Sequence, residues 1–242
     1  MNAELMGFRI DGYNFEEGIN KALELACADK VSQIITINPE MIEYALKNKE
    51  FAKIIHSAEM IIPDGVGIKI GLKLNGYSMH RLPGIDFAYR LLEESAKNNL
   101  PVAIIGAKEE IITKAVENLK EKIVGLNIVY YHNGYFDNDN EIYSKLRENS
   151  PKIVLVAMGS PRQEEFIYNA KKYLSPCLMI GIGGSLDVWS GNVKRAPIIY
   201  RKLGLEWLYR TISQPERFKR IFPALPLFIF KAIWYKYKNR SL

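Results

Sequence analysis

Short runs of Ile, Val and Leu alternate with segments whose apolar positions recur every three or four residues, and the two patterns take turns through most of the chain. Compact apolar runs predict strands, and the three-to-four spacing predicts helices. Residues 14–30 read as a helix opened by Asn14 with Glu17 three positions on, the spacing of a capping box. They lead into a strand over 31–37. A second helix begins near Pro39, and a strand at 60–62 ends in Pro63, Asp64 and Gly65. After a loop through Arg81 and Pro83 come a helix over 85–97, a strand over 102–105, a helix over 109–123 and a strand over 126–130. A polar loop, a helix over 141–148, a strand over 153–158, a helix from Pro161 to about 173 and a strand over 177–182 complete the series. Strands separated by helices predict an α/β fold, a Rossmann-like, mostly parallel sheet with flanking helices.

Beyond Pro197 the alternation stops. Helical runs near 198–212, 216–222 and 225–237, broken by Pro215 and Pro223, predict a C-terminal appendage over 196–242 on an α/β core over 1–195. Charge divides the chain in a similar way. Residues 191–242 hold twelve Lys or Arg against Glu206 and Glu216, a net of +10, while the whole chain carries +6, so residues 1–190 carry −4. The stretch IFPALPLFIFKAIWY over 221–235 is too short and too interrupted to span a bilayer. Phe228, Phe230 and Trp234 beside those cations fit an anionic membrane surface, and they fit equally a helix packed on the body or on another subunit. Basic residues gathered in a tail, without a folded reading module, argue against nucleic acid. Self-association is a further way to cover such a surface.

At 242 residues with 48% hydrophobic side chains, the chain holds one sizeable core. Cys27 and Cys177 lack the spacing of a zinc or redox motif, and both are expected as small core residues. The first residues, MNAELMGFRID, carry no secretion signal, so a cytoplasmic location is expected.

Ligands of parallel α/β sheets bind outside the carboxyl ends of the strands. The residues there are Thr36 and Asn38, Asp64, Gly106, Gly159 with Ser160, and the run from Gly183 to Asp187. Each has a plain structural reading: Pro-Asp-Gly is a common turn, and Ser160 with Gln163 flank Pro161 and Arg162 in the order of a capping box. A helix start after Gly159 also offers N–H groups to a phosphate, which suits a nucleotide diphosphate, although neither a full dinucleotide fingerprint nor a P-loop is present. Asp137 and Asp139 read as a solvated loop and not as a metal site. His56, His80 and His132 have no ligand spacing, and no serine or cysteine sits in a nucleophile elbow.

In order along the chain, TINPE from Thr36, PDGVG from Pro63, RLPGID from Arg81, AMGSPRQE from Ala157, GIGGSLDVWSG from Gly181, RAP from Arg195 and LEWLYR from Leu205 resemble the bacterial WecG/TagA/CpsF glycosyltransferase family. The resemblance covers nearly the whole chain. It implies transfer of N-acetylmannosamine from a UDP-sugar donor to an undecaprenyl-diphosphate-linked N-acetylglucosamine acceptor, forming a β-1,4 linkage at the inner membrane face, as in teichoic acid synthesis, with no metal or other cofactor. It further implies Asp64 as the base of an inverting displacement, Thr36, Asn38 and Gln163 as groups orienting the sugar, and Arg81 as the cation met by departing UDP. Gly106, Gly159, Gly183, Gly184 and Asp187 would form the nucleotide pocket. Arg210, Arg217 and Arg220 would grip the acceptor diphosphate, since guanidinium binds phosphate oxygens in pairs, while Phe228, Phe230 and Trp234 hold the membrane. The rival readings are the same scaffold with another donor, such as UDP-glucose or the uronic acid of N-acetylmannosamine, and a non-catalytic nucleotide-binding recruiter.

Overall fold

A computed structural model describes residues 2–202, 206, 208, 209 and 218–240. It opens with an antiparallel hairpin, β1 (Asn2–Leu5) and β2 (Phe8–Asp11), and continues through α1 (Phe15–Ala26), β3 (Ser32–Ile37), α2 (Pro39–Ala45), α3 (Lys49–His56), β4 (Met60–Pro63), α4 (Val66–Leu74) and α5 (Gly84–Lys97). Then follow β5 (Val102–Gly106), α6 (Glu109–Lys122), β6 (Ile128–His132), α7 (Asp139–Asn149), β7 (Ile153–Ala157), α8 (Arg162–Ala170), β8 (Leu178–Gly181) and α9 (Ser185–Trp189). Two helices of the C-terminal region are described, α10 (Ile198–Lys202) and α11 (Phe218–Arg240).

Strands β3 to β8 form one parallel sheet in the order β4-β3-β8-β7-β5-β6, so all six carboxyl ends share one edge. Burial follows from position. The inner strands β5, β7 and β8 are buried at every residue, as helices on both faces require, and the edge strand β6 is only partly buried. On one face Ile34, Ile104, Leu155 and Ile180 pack under α1, α5, α6 and α9. On the other, Ile105, Val156 and Met179 pack under α7 and α8, while Ile35, Ile37 and Ile61 pack with the hairpin and α2, α3, α4 and α11.

The capping box forms as expected: Asn14 and Glu17 exchange both hydrogen bonds. The hairpin and α4 stand where no element was expected. The hairpin covers the β4 edge through polar groups, since Asp11 accepts from the Ile61 N–H at 2.8 Å and Arg9 donates to the Ala58 carbonyl at 2.9 Å. Cys177 is buried, which pushes its thiol up to about 12, whereas Cys27 is exposed just past α1 and is no core residue.

The C-terminal region differs more from expectation. Pro223 and Pro226 do not end a helix, and α11 runs unbroken for 23 residues. It lies against α2 and α4, with Lys231 paired to Glu43, Lys236 donating to the Leu74 carbonyl at 2.5 Å and Tyr235 donating to Glu4 at 3.2 Å. Phe228 is fully buried, its ring over Gly71 and in one cluster with Leu5. It therefore cannot hold a membrane. At 100° per residue, positions 228 and 230 point to opposite sides of a helix. Phe230 and Trp234 do face outward, in line with Leu227 and Tyr237. Arg210, Arg217 and the side chain of Arg220 lie outside the described residues. Among the described residues no helix is long and apolar enough to cross a membrane.

Candidate active site

At the carboxyl edge of the sheet, β3 and β4 end in register, Ile37 beside Pro63. The Asp64 N–H donates to the Ile37 carbonyl at 2.9 Å, so the turn after β4 is fastened to the end of β3. Its half-buried carboxylate accepts from the Gly65 N–H at 2.8 Å. Gly65 caps α4 at φ +81°, a backbone region that side chains with a Cβ disfavour, which explains the glycine after Asp64. The Leu82 N–H donates to the Pro63 carbonyl at 2.9 Å and brings in the segment that carries Arg81. Gly84 then presses on Thr36, where a Cβ would stand 3.2 Å from the threonine methyl. Thr36 donates to the Gly181 carbonyl at 3.3 Å across the β3–β8 pair. Asn38 uses its side-chain oxygen to cap α2, accepting from the Met41 N–H at 3.0 Å. Thr36, Asn38, Asp64 and Arg81 are thus one neighbourhood, built from three separate segments.

Next to it, over the ends of β5, β7 and β8, lies a cleft of about 600 Å³. Gly159, Gly183, Gly184 and Asp187 line it, as the strand-end rule predicts, together with Lys108, Tyr135 and Asn192. Gly106 does not line it. A Cβ there would sit 2.3 Å from the Ala157 carbonyl oxygen, so the glycine lets β5 close onto β7 and shapes the floor. The neighbouring Ala107 N–H donates to that same carbonyl at 3.0 Å, and the Gly134 N–H to the Ala107 carbonyl at 2.8 Å. Tyr135 is held at the rim by its N–H bond to Asn133 at 2.8 Å, and Asn133 donates in turn to Glu109 at 2.8 Å.

The start of α8 is not the capping box that the sequence predicts. The Ser160–Pro161 bond is cis, Pro161 occupies the cap position, and no side chain caps the helix. Gln163 is turned inward instead. Its side-chain oxygen accepts from the Gly183 N–H at 3.0 Å, and its amide nitrogen donates to Glu164 at 2.7 Å. Nor does this helix start leave every N–H open, because the Gln163 N–H donates to the Gly159 carbonyl at 2.9 Å. Asp139 is not in a solvated loop but opens α7, capped by Asn138, and pairs with Arg162 at the start of α8.

The family model for the glycosyl transferase WecG/TagA/CpsF family matches residues 3–242. The chain belongs to that family. A Bacillus spizizenii relative named N-acetylglucosaminyldiphosphoundecaprenol N-acetyl-beta-D-mannosaminyltransferase is 34% identical over 202 residues, 83% of this chain and 78% of the relative. A Staphylococcus aureus (strain MW2) protein of the same name is 34% identical over 200 residues, 82% of this chain and 78% of that one.

In this WecG/TagA/CpsF glycosyltransferase, three groups near the cleft escape the strand-end reading. Lys108 follows β5, two residues past its last strand position, and Tyr135 follows β6, which runs two residues beyond the expected 126–130. The third is an ion pair, Arg195 to Asp86 at 2.6 Å, which ties the loop after α9 to the first turn of α5. Its sequence signal is only that Asp86 ends one family segment and Arg195 opens another. Asp86 is two residues from Gly84, so the pair links the loop that carries Asn192 on the cleft side to the element that presses on Thr36.

Proposed function

We propose that this protein transfers N-acetylmannosamine from its UDP donor to the 4-hydroxyl of N-acetylglucosamine on undecaprenyl diphosphate, with inversion to a β linkage. The observation that carries the reading is the half-buried Asp64 carboxylate, fastened beside the Arg81 segment and adjoining a glycine-lined cleft of a size suited to a nucleotide. The names of the relatives supply the sugar and the acceptor.

UDP occupies the cleft, with Asp187 accepting from ribose hydroxyls, Tyr135 offering a ring face to the base, and backbone N–H groups near Gly159 and Gly183 meeting the phosphates. The sugar lies toward Thr36 and Asn38, the latter contacting it through its amide nitrogen because its oxygen is taken by α2. Asp64 accepts the proton of the acceptor hydroxyl as that oxygen bonds to the anomeric carbon. The bond from that carbon to UDP breaks, UDP keeps the electron pair, and Arg81 offsets the added charge without a metal. Gln163 serves by bracing the Gly183 turn, not by touching the sugar. Arg210, Arg217 and Arg220 hold the acceptor diphosphate. Leu227, Phe230, Trp234 and Tyr237 rest the protein on the anionic inner face of the membrane.

The test is UDP release from a panel of UDP-sugars in EDTA, with and without lipid-diphosphate N-acetylglucosamine in anionic liposomes. Acceptor-dependent release from UDP-N-acetylmannosamine is expected. Release from a different donor would change the sugar, and UDP binding without release from any donor would make the chain a recruiter.

A further inference from the structure

Glu164 takes no part in the reaction as laid out, yet it is buried, 2% exposed, directly behind the cleft. We propose that Glu164 is a positioning residue for the nucleotide cleft, acting through the Gln163 amide on the turn over 181–183. The proposal rests on reading the cleft as the UDP site.

An amide side chain has two chemically different ends, and only one orientation works at this position. The Gly183 N–H is a donor and needs the oxygen of Gln163, which it meets at 3.0 Å. A flipped amide would set NH2 against N–H. What selects the working orientation is the Glu164 carboxyl, whose Oε1 accepts from the Gln163 nitrogen at 2.7 Å. The fit is tight on the third side as well: a Cβ on Gly181 would stand 2.4 Å from that same nitrogen, so the strand end is bare where the amide lies flat against it. The Gly181 carbonyl is also the acceptor for Thr36, and Gly183 lines the cleft. One buried amide therefore braces the nucleotide turn and packs against the glycine whose carbonyl accepts from a threonine on the sugar side.

The far side of Glu164 points the same way. Gln33 donates to the Glu164 backbone carbonyl at 3.4 Å, and the buried Glu164 Oε2 and Gln33 Oε1 have no hydrogen-bond partner. Burial in such surroundings disfavours the charged form of the carboxyl. Burial pushes the Glu164 carboxyl up to about 7, opposed by Gln163 and the nearby Ser160 hydroxyl.

The experiment is calorimetric titration of UDP into the full-length protein and into Glu164→Met, Glu164→Gln and Gly181→Ala, with melting curves and donor KM and kcat for each. Met keeps length and apolar volume but removes the acceptor; Gln keeps an oxygen that can accept; Ala at 181 displaces the amide without touching Glu164. Glu164→Met and Gly181→Ala are expected to bind UDP roughly tenfold more weakly, the size of one net hydrogen bond. In both, donor KM should rise in step while acceptor KM holds, and Glu164→Gln should bind UDP as the wild type does. Equal UDP affinity in a folded Glu164→Met or Gly181→Ala would overturn the proposal. So would unfolding of both, because the pair would then serve the core and not the turn. No UDP binding by the wild type would instead remove the nucleotide reading, and this proposal with it.

Discussion

The Leu82 N–H donates to the Pro63 carbonyl at 2.9 Å, and this bond ties the segment carrying Arg81 to the turn carrying Asp64. Helix α4 lies between the two in sequence. The tie is made by backbone atoms, so changes of the Arg81 or Asp64 side chain leave it in place. A loss of activity at either position is therefore not a loss of this backbone tie.

Asp64→Asn removes the proposed base and keeps an oxygen that can accept from the Gly65 N–H. Turnover is expected to fall by about 10²–10⁴-fold, the usual worth of a positioned base, with UDP affinity unchanged by calorimetry. A loss smaller than about tenfold would exclude proton removal by Asp64.

Gly106→Ala places a Cβ 2.3 Å from the Ala157 carbonyl oxygen at a φ of +136°, and neither backbone has side-chain freedom with which to yield. The expected cost is about 3 kcal/mol, combining overpacking with a strained backbone. Urea unfolding measures it, and a change under about 0.5 kcal/mol, the level of an ordinary surface substitution, would show that β5 and β7 separate easily.

Glu164 gives stability a pH dependence of definite sign. Its carboxyl titrates near 4.5 unfolded and about 7 folded, because burial disfavours the charged form. Between those values the folded protein holds a proton that the unfolded chain has released, so stability falls as pH rises through this window and levels off above it. Glu164→Gln removes that slope. Its stability relative to wild type should improve by up to about 3 kcal/mol from pH 4.5 to pH 8 in urea titrations; a constant difference would mean that Glu164 does not titrate there.

The parallel sheet and most of its helices are legible because solid apolar runs such as IVLVA and amphipathic helices carry opposite periodicities. Asp64, Thr36 and Arg81 are legible as strand-end or loop residues within recognisable segments. What the sequence hides has a physical cause in each case. The four-residue strands β1 and β2 are too short to show a period, and Asp11 becomes an edge cap only once β4 lies beside it. Gln163, with Ser160, matches a capping pattern, but its inward turn and its bond to Gly183 depend on a residue 20 positions away. Helix α11 hides its inner face for a related reason: both faces carry large apolar side chains, so pattern alone does not say that Phe228 is inside and Phe230 outside.

That division makes the two faces of α11 separable by experiment. Phe228 fills the space between Leu5 and Gly71, so Phe228→Ala should cost about 3–5 kcal/mol, the usual penalty for emptying a buried aromatic site. Phe230→Ser with Trp234→Ser touches only outward-facing side chains, 68% and 57% exposed, and should change stability by no more than about 0.5 kcal/mol per site. Flotation with anionic liposomes should reverse the ranking: the outer double variant leaves the membrane fraction, whereas Phe228→Ala, wherever it remains folded, stays in it. Because α11 is docked on α2 and α4, cutting the chain after Pro197 should also destabilise the body by exposing Leu5 and Leu72. Weakened membrane binding in the outer double variant with an unshifted unfolding midpoint would assign the outer stripe to the bilayer. Undiminished flotation of that variant would move the membrane contact to the basic residues of the tail.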